Sequence, residues 1–578
     1  MVSGTYAETY ARSIGDPEGF WDDAAALVDW VQPPTRILDR SLDPASSWFA
    51  DGKLNTCFNA LDRHVLAGNG DRIALIWESP VSGRSAQYTY ARLTDEVAKF
   101  AAVLRRHGVS RGDRVSLYLP MIPEAVIAML ACARLGAVHS VVFGGFAPRE
   151  LATRIDDALP QVIVTASCGI ERQRVIDYLA LVDDALALAD HQPGACIVKQ
   201  RPEHRGRPSS GGDVDWDDAV RRETIPEPCV AVDAADPLYI LYTSGTTGKP
   251  KGIVRDNGGH AVAMAWSMRY VYDIKPGDVW WAASDVGWVV GHSYIVYGPL
   301  IGGATTILYE GKPVGTPDAA GFWRVVAQHR PKALFTAPTA LRAVKREDPE
   351  GLLLGQFDVS SLQTLFLAGE RLDPDTYGWA AEHLAVPVVD NWWQTETGWP
   401  VAANLRGLDP MPIKVGSPSV PVPGFVIRIL DENGSDTGPG VEGAVCLELP
   451  LPPGCMTTIW GAHDRFIESY FTQHEGFYHS GDGGYVDDDG YVFVLGRLDD
   501  VINVAGHRLS TGALEEVVSD HPEVAECAVI RGRTSWVPVE GLPSGRQMRS
   551  GRPRAVGAVI WNGLACFVRQ RRCRGFPR

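Results

Sequence analysis

The 578-residue chain is too long for one ordinary domain, and its 45% hydrophobic and 21% charged residues are typical of a globular enzyme. A net charge of −16 argues against nucleic acid as a main partner, so anionic substrates must be held by local loops and helix starts. We find no signal peptide and no apolar run of membrane-spanning length, and the ten cysteines lack CxxC or CxxxC spacing. We therefore expect a cytoplasmic protein without a membrane span, a zinc site or a disulfide framework.

The predicted elements begin with residues 1–44, which we interpret as a peripheral extension. Strand-like and helix-like runs alternate over residues 71–230, with residues 114–119 predicted as a strand, 124–135 as a helix and 138–142 as a strand. This alternation favours parallel βαβ layers. The remaining predicted regions are a second α/β stretch (236–400), a β-rich subdomain (415–496) and a small C-terminal domain (from 499).

The most informative motif is the run from Tyr242 to Gly252 (YTSGTTGKPKG), which follows an apolar, strand-like segment. Its three glycines let backbone N–H groups approach an anion, while four Ser and Thr hydroxyls and two lysines add donors and positive charge. The run is not a Walker loop, because only two residues separate its first two glycines and Pro250 follows Lys249. A flexible glycine-rich linker is the alternative, but this density of hydroxyls and lysines favours a phosphate-binding loop.

This loop resembles the phosphate loop of the adenylate-forming enzymes, which include acyl-CoA synthetases, luciferases and peptide-synthetase adenylation domains. The resemblance runs from about residue 45 to about residue 530, and within the short-chain acyl-CoA synthetases it is closest to the propionyl-CoA synthetases. The other segments that carry it are WFADGKLNTCFNALDRH (48–64), GAVHSVVFGGF (136–146), DVGW (285–288), DNWWQTETG (390–398), SGD (480–482) and GRLDD (496–500).

The resemblance implies an α/β fold with a large adenylate-forming N-terminal domain, made of two α/β subdomains and a β-rich one, and a small, incomplete α+β C-terminal domain. The implied function is ATP-dependent ligation of propionate, or a neighbouring short acid, to coenzyme A through acyl-AMP, with release of pyrophosphate. ATP, Mg²⁺ and coenzyme A are the expected cofactors and substrates. The expected regions are an N-terminal extension (1–65), an AMP-binding domain (66–498), the start of the C-terminal domain (499–530) and an aberrant tail (531–578).

The resemblance also implies an ATP site. Glu396 resembles the family's magnesium-binding glutamate, and a hard carboxylate suits a Mg²⁺ ion that bridges phosphates; a buried or helix-capping glutamate is the alternative. The residues expected around the β- and γ-phosphates are Thr243, Ser244, Gly245, Thr246, Thr247, Gly248 and Lys249. Those expected to face the adenine and the phosphates are Gly369, Glu370, Arg371, Asp390, Asn391, Trp392, Trp393, Gln394 and Thr395.

Three further positions match residues that contact AMP in the family. Asp482 and Arg497 correspond to the residues that hold the ribose hydroxyls, for which a carboxylate offers two acceptor oxygens and an arginine offers forked donors. Arg508 corresponds to an arginine that approaches the α-phosphate. The alternative for each is a solvated surface residue.

The coenzyme A site is implied less completely. Gly145 and Arg174 match nucleotide-facing positions, whereas Glu171 stands where acetate-using relatives have a second arginine. Asp499 fits the hinge about which the family rotates its small domain between the two half-reactions.

The acyl pocket is predicted from the resemblance as well. Trp393 corresponds to the tryptophan that floors pockets for short acids, and Trp288, Val289, Val290 and Ala368 match the surrounding positions. Acetate-specific members carry a larger valine where Ala368 stands, so this pocket is expected to accept about one more methylene group. Such a group is worth only ~1–3 kcal/mol, so we expect a preference for propionate over acetate and keep acetyl-CoA synthetase as an alternative. Ordinary core residues would show the same pattern.

The resemblance ends after about residue 530. Residues 531–578 contain eleven arginines, no lysine and one acidic residue, Glu540, and no lysine follows Lys414. The family's adenylation step relies on a lysine near the C-terminus that bridges the substrate carboxylate and the ATP phosphates. We therefore expect slow adenylation at best, and a nucleotide-binding pseudoenzyme is an alternative function.

A shifted reading frame is our hypothesis for the tail. One permitted back-translation of residues 531–536, moved by one base, encodes Ala-Asp-Glu-Leu-Leu-Gly, which resembles the expected family sequence. A divergent tail and a basic arm that binds anionic partners are the alternatives.

Overall fold

The computed structural model describes residues 4–41, 44–171, 173–206, 213–243 and 250–498, together with the backbone of five strands between residues 501 and 570. The chain divides into two compact units. The first comprises Met1–Ile427 and Leu447–Tyr478, and the second comprises Arg428–Cys446 and His479–Arg578. The chain thus leaves the first unit after Ile427, returns to it for one segment and ends in the second.

The first unit begins with two helices, α1 (Tyr6–Gly15) and α2 (Pro17–Ala25). The Trp21 side chain of α2 is 1% exposed, and its ring centroid lies 6.2 Å from that of Trp266 and 6.0 Å from that of Trp399. The interpretation of residues 1–44 as peripheral is therefore wrong for α2, because this helix contributes an aromatic side chain to the core.

One layer of the first unit is an eight-stranded sheet that contains the segments 114–119 and 138–142. Its strands, in spatial order, are β12 (Asp213–Asp215), β11 (Ala195–Lys199), β8 (Val162–Ala166), β6 (Arg114–Tyr118), β7 (Val138–Val141), β14 (Pro237–Thr243), β15 (Lys251–Asp256) and β25 (Thr458–Ile459). The strands from β12 to β14 run parallel, and β15 is antiparallel to both of its neighbours. The predicted strand, helix and strand are confirmed as β6, α4 (Pro123–Leu135) and β7.

A second sheet of seven strands provides the other α/β layer of this unit. Its spatial order is β20 (Val388–Asn391), β19 (Thr364–Ala368), β18 (Ala333–Thr336), β16 (Val279–Ala282), β17 (Thr305–Tyr309), β4 (Ile73–Ser79) and β5 (Arg84–Thr89). All pairs are parallel except β4 with β5. β16, β18 and β19 consist mostly of buried apolar residues, as expected for parallel strands covered on both faces.

Helix α4 shows how local sequence sets the ends of a helix in this unit. It has Pro123 in its first turn and ends at Gly136, whose φ of +71° favours glycine. The other helices are α3 (Tyr90–Arg106), α5 (Pro148–Ala158), α6 (Tyr178–Leu188), α7 (Trp216–Arg222), α8 (Gly258–Tyr270), α9 (Gly298–Ile301), α10 (Gly321–His329), α11 (Pro338–Glu347), α12 (Pro374–Leu384) and α13 (His463–Tyr470). Among the described residues, no helix combines the length and the apolar character needed to cross a membrane.

Shorter elements complete the first unit. Its described residues include the π-helical segments Phe58–Asp62, Val65–Asn69 and Gly291–Tyr297 and the 3₁₀ turn Leu354–Gln356. The short strands are β1 (Leu38–Asp39), β2 (Ser47–Trp48), β3 (Lys53–Leu54), β9 (Cys168–Glu171), β10 (Arg174–Asp177), β13 (Val232–Asp233), β21 (Ala402–Ala403) and β22 (Val420–Pro421). They pair as β1 with β2, β3 with β13, β9 with β10 and β21 with β22.

The second unit consists of strands where the structure describes it. A four-stranded sheet has the order β23 (Ile427–Leu430), β24 (Gly443–Glu448), β26 (Phe477–Val486) and β27 (Val492–Arg497). It confirms the predicted β-rich character of residues 415–496. Further on, β28 (Val501–Val504) pairs with β29 (His507–Ser510), and a three-stranded sheet has the order β30 (Val524–Arg531), β32 (Leu564–Gln570) and β31 (Val556–Trp561).

Candidate functional site

The expected phosphate loop connects two adjacent antiparallel strands of the first sheet. β14 ends at Thr243, whose Cα partner across the hairpin is Lys251, the first residue of β15. Ile240 in β14 and Ile253 in β15 are both 0% exposed, so the two strands that bear the loop are anchored in the core. Residues 244–249 themselves, which include all the predicted phosphate-facing residues except Thr243, lie outside the described part of the chain.

Glu396, the predicted magnesium ligand, is linked to the end of this loop through one tyrosine. The Tyr470 hydroxyl donates a 2.8 Å hydrogen bond to Glu396 Oε1. Lys251 Nζ lies 3.4 Å from the same hydroxyl and 4.5 Å from the centroid of the Tyr470 ring. The structure therefore places a carboxylate and a lysine next to the same hydroxyl of Tyr470, which belongs to α13 in the returning segment of the first unit.

The segments that precede Glu396 leave the second sheet at one edge. Ala368 ends β19 and Asn391 ends β20, and their Cα atoms are partners in parallel register. The predicted residues 369–371 and 392–396 therefore start side by side at the carboxyl edge of the sheet, which is where open α/β sheets bind ligands.

Hydrogen bonds fix the path of the second of these segments. The Trp392 backbone N–H donates to Ala402 O at 3.0 Å, and the Tyr478 hydroxyl donates to Gln394 Oε1 at 2.8 Å. Burial raises the pKa of the Asp390 carboxyl, at the end of β20, to about 7, and its Oδ1 accepts the Asn391 backbone N–H at 2.9 Å. The predicted residues 390–395 are thus held by contacts to neighbouring strands and to Tyr478.

The Gly369–Arg371 turn is exposed and carries a left-handed glycine. Gly369 has a φ of +103°, which side-chain-bearing residues rarely adopt. The Glu370 carboxylate accepts the Thr339 backbone N–H at 2.5 Å, at the start of α11, and pairs with Arg342 at 2.6 Å. Glu370 therefore has its partners in α11, and both Glu370 and Arg371 are exposed.

The predicted acyl-pocket residues fall into two groups. The Trp393 ring packs against Tyr294 at 5.4 Å and Phe335 at 6.4 Å between centroids. Tyr294 belongs to the π-helical segment Gly291–Tyr297, which directly follows the partly buried Val289 and Val290. Trp393 thus contacts the segment that follows the two valines, and the buried Ala368 is the Cα partner of Asn391, two positions before Trp393.

Trp288, in contrast, packs against Phe143 at 5.4 Å and is 48% exposed. Phe143 directly precedes the glycines at 144 and 145, so Trp288 borders the segment predicted to face coenzyme A.

The predicted coenzyme A segment lies near the β9–β10 hairpin. A Cβ atom on Gly144 would lie 2.2 Å from the Tyr178 hydroxyl, and one on Gly169 would lie 2.5 Å from the same ring, so Tyr178 contacts both segments. Gly145 and Arg174 are exposed, and Arg174 is the Cα partner of Glu171 across the hairpin. Glu171, which the resemblance predicts to stand in place of a second arginine, is therefore paired across the hairpin with Arg174.

The predicted ribose-binding pair lies in the second unit. Asp482 and Arg497 are Cα partners between β26 and β27, and Arg497 Nη1 lies 3.6 Å from Asp482 Oδ1. The same nitrogen donates to Ser480 O at 2.8 Å. For Arg508 only the backbone position in β29 is described, and Asp499 lies outside the described residues.

Two residues of this site carry no signal in the sequence. Tyr470 reaches Glu396 from 74 positions away. Arg255 in β15 donates to the carbonyl oxygens of Glu396 at 2.9 Å and Gly454 at 2.7 Å, and to that of Thr395. Such contacts between distant segments follow no periodicity or local spacing, so sequence analysis could not find them.

Comparisons with known proteins identify the family of this chain. The AMP-binding enzyme family matches residues 62–459, and the acetyl-coenzyme A synthetase N-terminus matches residues 6–60. The chain is 47% identical over 530 residues to a propionate–CoA ligase of Escherichia coli, with 91% of this chain and 84% of the relative covered. It is 49% identical over 530 residues to the human mitochondrial acyl-CoA synthetase short-chain family member 3, with 91% and 77% covered.

Among solved structures, an acetoacetyl-CoA synthetase from Streptomyces lividans superposes with a TM-score of 0.83 at 27% identity, over 92% of this chain and 81% of that one. The family match covers more than half of the chain, and the relatives above are matched over most of their length. The large adenylate-forming domain and the smaller C-terminal one are thereby confirmed. The chain therefore belongs to the AMP-binding enzymes, as an AMP-forming short-chain acyl-CoA synthetase related to the propionate–CoA ligases.

Proposed function

We propose that this chain ligates propionate to coenzyme A in two half-reactions. The carboxylate of propionate attacks the α-phosphate of ATP, which gives propionyl-AMP and pyrophosphate, and the thiol of coenzyme A then displaces AMP to form the thioester. ATP, Mg²⁺ and coenzyme A are the compounds that AMP-forming acyl-CoA synthetases use. The choice of a short acid rests on the position of the Trp393 ring. This ring packs against Tyr294 and Phe335, and Trp393 lies only two and three positions before Thr395 and Glu396.

The proposed pocket suits a short chain for steric reasons. The aromatic contacts of Trp393 hold a large ring where a smaller residue would leave a tunnel, while Ala368 leaves more space than valine would. Because one methylene group contributes only ~1–3 kcal/mol, we propose a preference for propionate over acetate of about 10–200-fold. An acetate-specific ligase is the rival enzyme, and the relative rates on two-, three- and four-carbon acids separate the two.

We assign the triphosphate to residues 243–249 and the metal to Glu396. The Glu396 carboxylate, beside the Tyr470 hydroxyl, offers the hard oxygen ligand that Mg²⁺ prefers. Lys251, next to the same hydroxyl at the end of the loop, would add positive charge for the phosphate oxygens. A Mg²⁺ ion bound to Glu396 would offset the charge that develops on the phosphates. The hydroxyls and the lysine of the loop would orient the β- and γ-phosphates, and Tyr470 would hold the Glu396 carboxylate in place.

The remaining assignments follow the family resemblance. Gly145 and Arg174 would contact coenzyme A, with the neighbouring Glu171 weakening the attraction for its phosphates. Asp482 and Arg497 would hold the ribose of AMP and Arg508 would approach its α-phosphate. We also propose a cytoplasmic location, since the cysteine spacing is unlike that of a secreted disulfide framework.

A nucleotide-binding pseudoenzyme is the second candidate, because no lysine follows Lys414 in this sequence. Loss of one electrostatic contact made in the transition state costs about 10²–10³-fold in rate, so we propose that adenylation is slow while nucleotide binding is retained. The thioester-forming half-reaction, which needs only the preformed acyl-adenylate and coenzyme A, would be less affected.

Two assays test the proposal with the purified chain. Exchange of labelled pyrophosphate into ATP is expected to depend on the added acid, slowly but measurably, and to be faster with propionate than with acetate or butyrate. Propionyl-AMP supplied with coenzyme A is expected to yield propionyl-CoA. Exchange without any dependence on a carboxylate, together with no thioester from the supplied adenylate, would leave only the pseudoenzyme.

A further inference from the structure

Arg255 is a fully buried arginine whose partners are neutral oxygen atoms. Its side chain is 0% exposed, and its guanidinium donates to three backbone carbonyls and, through Nε, to the Tyr239 hydroxyl at 3.1 Å. The other buried arginines of the described residues, Arg134, Arg154 and Arg201, instead pair with carboxylates. None of the ion pairs among the described residues includes Arg255. Burial of a cation costs free energy unless its donors are satisfied. Because the three carbonyls and the Tyr239 hydroxyl satisfy the donors of Arg255, any displacement of these carbonyls would leave a buried charge without acceptors.

The three carbonyls belong to two segments that meet at the proposed magnesium site. Those of Thr395 and Glu396 are successive peptide groups of the segment that carries the Glu396 carboxylate. That of Gly454 belongs to the returning segment Leu447–Tyr478, which also carries Tyr470. The backbone N–H of Met456 adds a 2.8 Å hydrogen bond to Glu396 O, so Arg255 and the returning segment hold the same carbonyl.

The backbone around Glu396 is shaped to accept the guanidinium. A Cβ atom on Gly398 would lie 2.6 Å from Arg255 Cζ, and the glycine has a φ of +77°. The turn that follows Glu396 thus closes over the arginine and tolerates no side chain there. The neighbouring imidazole of His292 is kept neutral, because burial, together with the charge of Arg255, lowers its pKa to about 4.

We propose that Arg255 is a positioning residue for the magnesium-binding carboxylate of Glu396. By fixing the Thr395 and Glu396 carbonyls against Gly454, it directs the Glu396 side chain toward the Tyr470 hydroxyl and the end of the phosphate loop. The inference rests on the role proposed above for Glu396. The inference has a specific consequence. Loss of the hydrogen bonds from Arg255 to these carbonyls weakens the binding of ATP with Mg²⁺, while the affinity for ATP without metal stays the same.

The test measures the affinity of the full chain for ATP by calorimetry, once with excess Mg²⁺ and once with EDTA. Loss of a partner that orients a metal ligand typically costs about 10–100-fold in metal affinity, so Arg255→Lys is expected to reduce the Mg²⁺-dependent gain in ATP affinity by about that factor. The affinity measured with EDTA is expected to stay within about twofold. Arg134→Lys, a matched change at a buried arginine that binds Asp62, is expected to leave both affinities unchanged.

Further variants separate positioning from a merely structural role. Tyr239→Phe removes only the hydroxyl that accepts the hydrogen bond from Arg255 Nε. It is expected to give a smaller loss of the Mg²⁺-dependent gain in ATP affinity, so it keeps the test informative if Arg255→Lys does not fold. An unchanged Mg²⁺-dependent gain in Arg255→Lys would overturn the inference, as would an equal loss of affinity with Mg²⁺ and with EDTA. If Glu396→Gln retains the full gain, the proposed role of Glu396 itself is wrong; if Glu396→Gln loses it and Arg255→Lys does not, only the inference about Arg255 falls.

Discussion

Replacement of Ala368 by valine is expected to abolish the proposed preference for propionate over acetate. Ala368 is the last residue of β19, a strand held between β18 and β20, and it is 7% exposed. The ring of Trp393, the other proposed pocket residue, packs against Tyr294 and Phe335. Because neither a central parallel strand nor a packed ring can withdraw easily, the two added carbon atoms of Ala368→Val must reduce the space for the acyl chain.

The size of the effect follows from the loss of space for about one methylene group. Such a group contributes ~1–3 kcal/mol, so the ratio of affinities for a three-carbon over a two-carbon acyl group is expected to fall by about 10–200-fold. The propyl and ethyl esters of AMP, which resemble the two acyl-adenylates, provide a binding assay that does not depend on the rate of adenylation. Titration calorimetry with each ester gives the ratio for both proteins.

A matched control distinguishes pocket size from strain. Ala166→Val places the same change at the last residue of β8, a buried position in the other sheet, and is expected to leave the affinity ratio unchanged. An unaltered ratio in Ala368→Val, with both esters still bound, would refute the assignment of Ala368 to the acyl pocket.

Three other predictions concern a buried acid, the ribose pair and the tail. Burial raises the pKa of Asp390 to about 7, so folding favours the protonated carboxyl, and the free energy of unfolding falls as pH rises from about 4 to about 7. Asp390→Asn removes this loss. Denaturant titration should therefore show that the stability difference between Asp390→Asn and the wild type is roughly 2–4 kcal/mol more favourable to the variant at pH 8 than at pH 4. No pH-dependent gain would contradict the burial of this carboxyl. Asp482→Ala should bind AMP and 2′-deoxy-AMP equally, whereas the original chain should favour AMP; a retained difference would exclude the ribose assignment. Sequencing of the coding DNA should show that a one-base shift near the codon for Arg531 restores family-like sequence ending in a lysine motif, and the restored chain should adenylate about 10²–10³-fold faster; no such frame would sink the hypothesis.

The sequence predicted those parts of the fold that depend on local pattern. The strand and helix at 114–119 and 124–135 have clear apolar runs and a proline–glycine pair at the ends of the helix, and both were found where expected. The end of β14 at Thr243 also follows from an apolar run that meets a glycine-rich one.

Contacts between distant segments could not be predicted from sequence periodicity or motifs. The burial of α2 depends on Trp21 meeting Trp266 and Trp399, hundreds of positions away, so residues 1–44 read as peripheral from sequence alone. Arg255 binds carbonyls that are 141 and 199 positions distant, and any sequence scan sees it only as a charge in a strand. The site is therefore predictable in its motif-bearing residues and unpredictable in the side chains that hold them in place.

Binding of ATP together with Mg²⁺ is the property on which the whole account depends. Titration calorimetry with the purified chain measures it directly, since binding requires neither a C-terminal lysine nor a particular acid. We expect ATP to bind more tightly with Mg²⁺ than with EDTA, and we expect Glu396→Gln to abolish that difference. Absence of any heat of binding with ATP and Mg²⁺ would contradict the account.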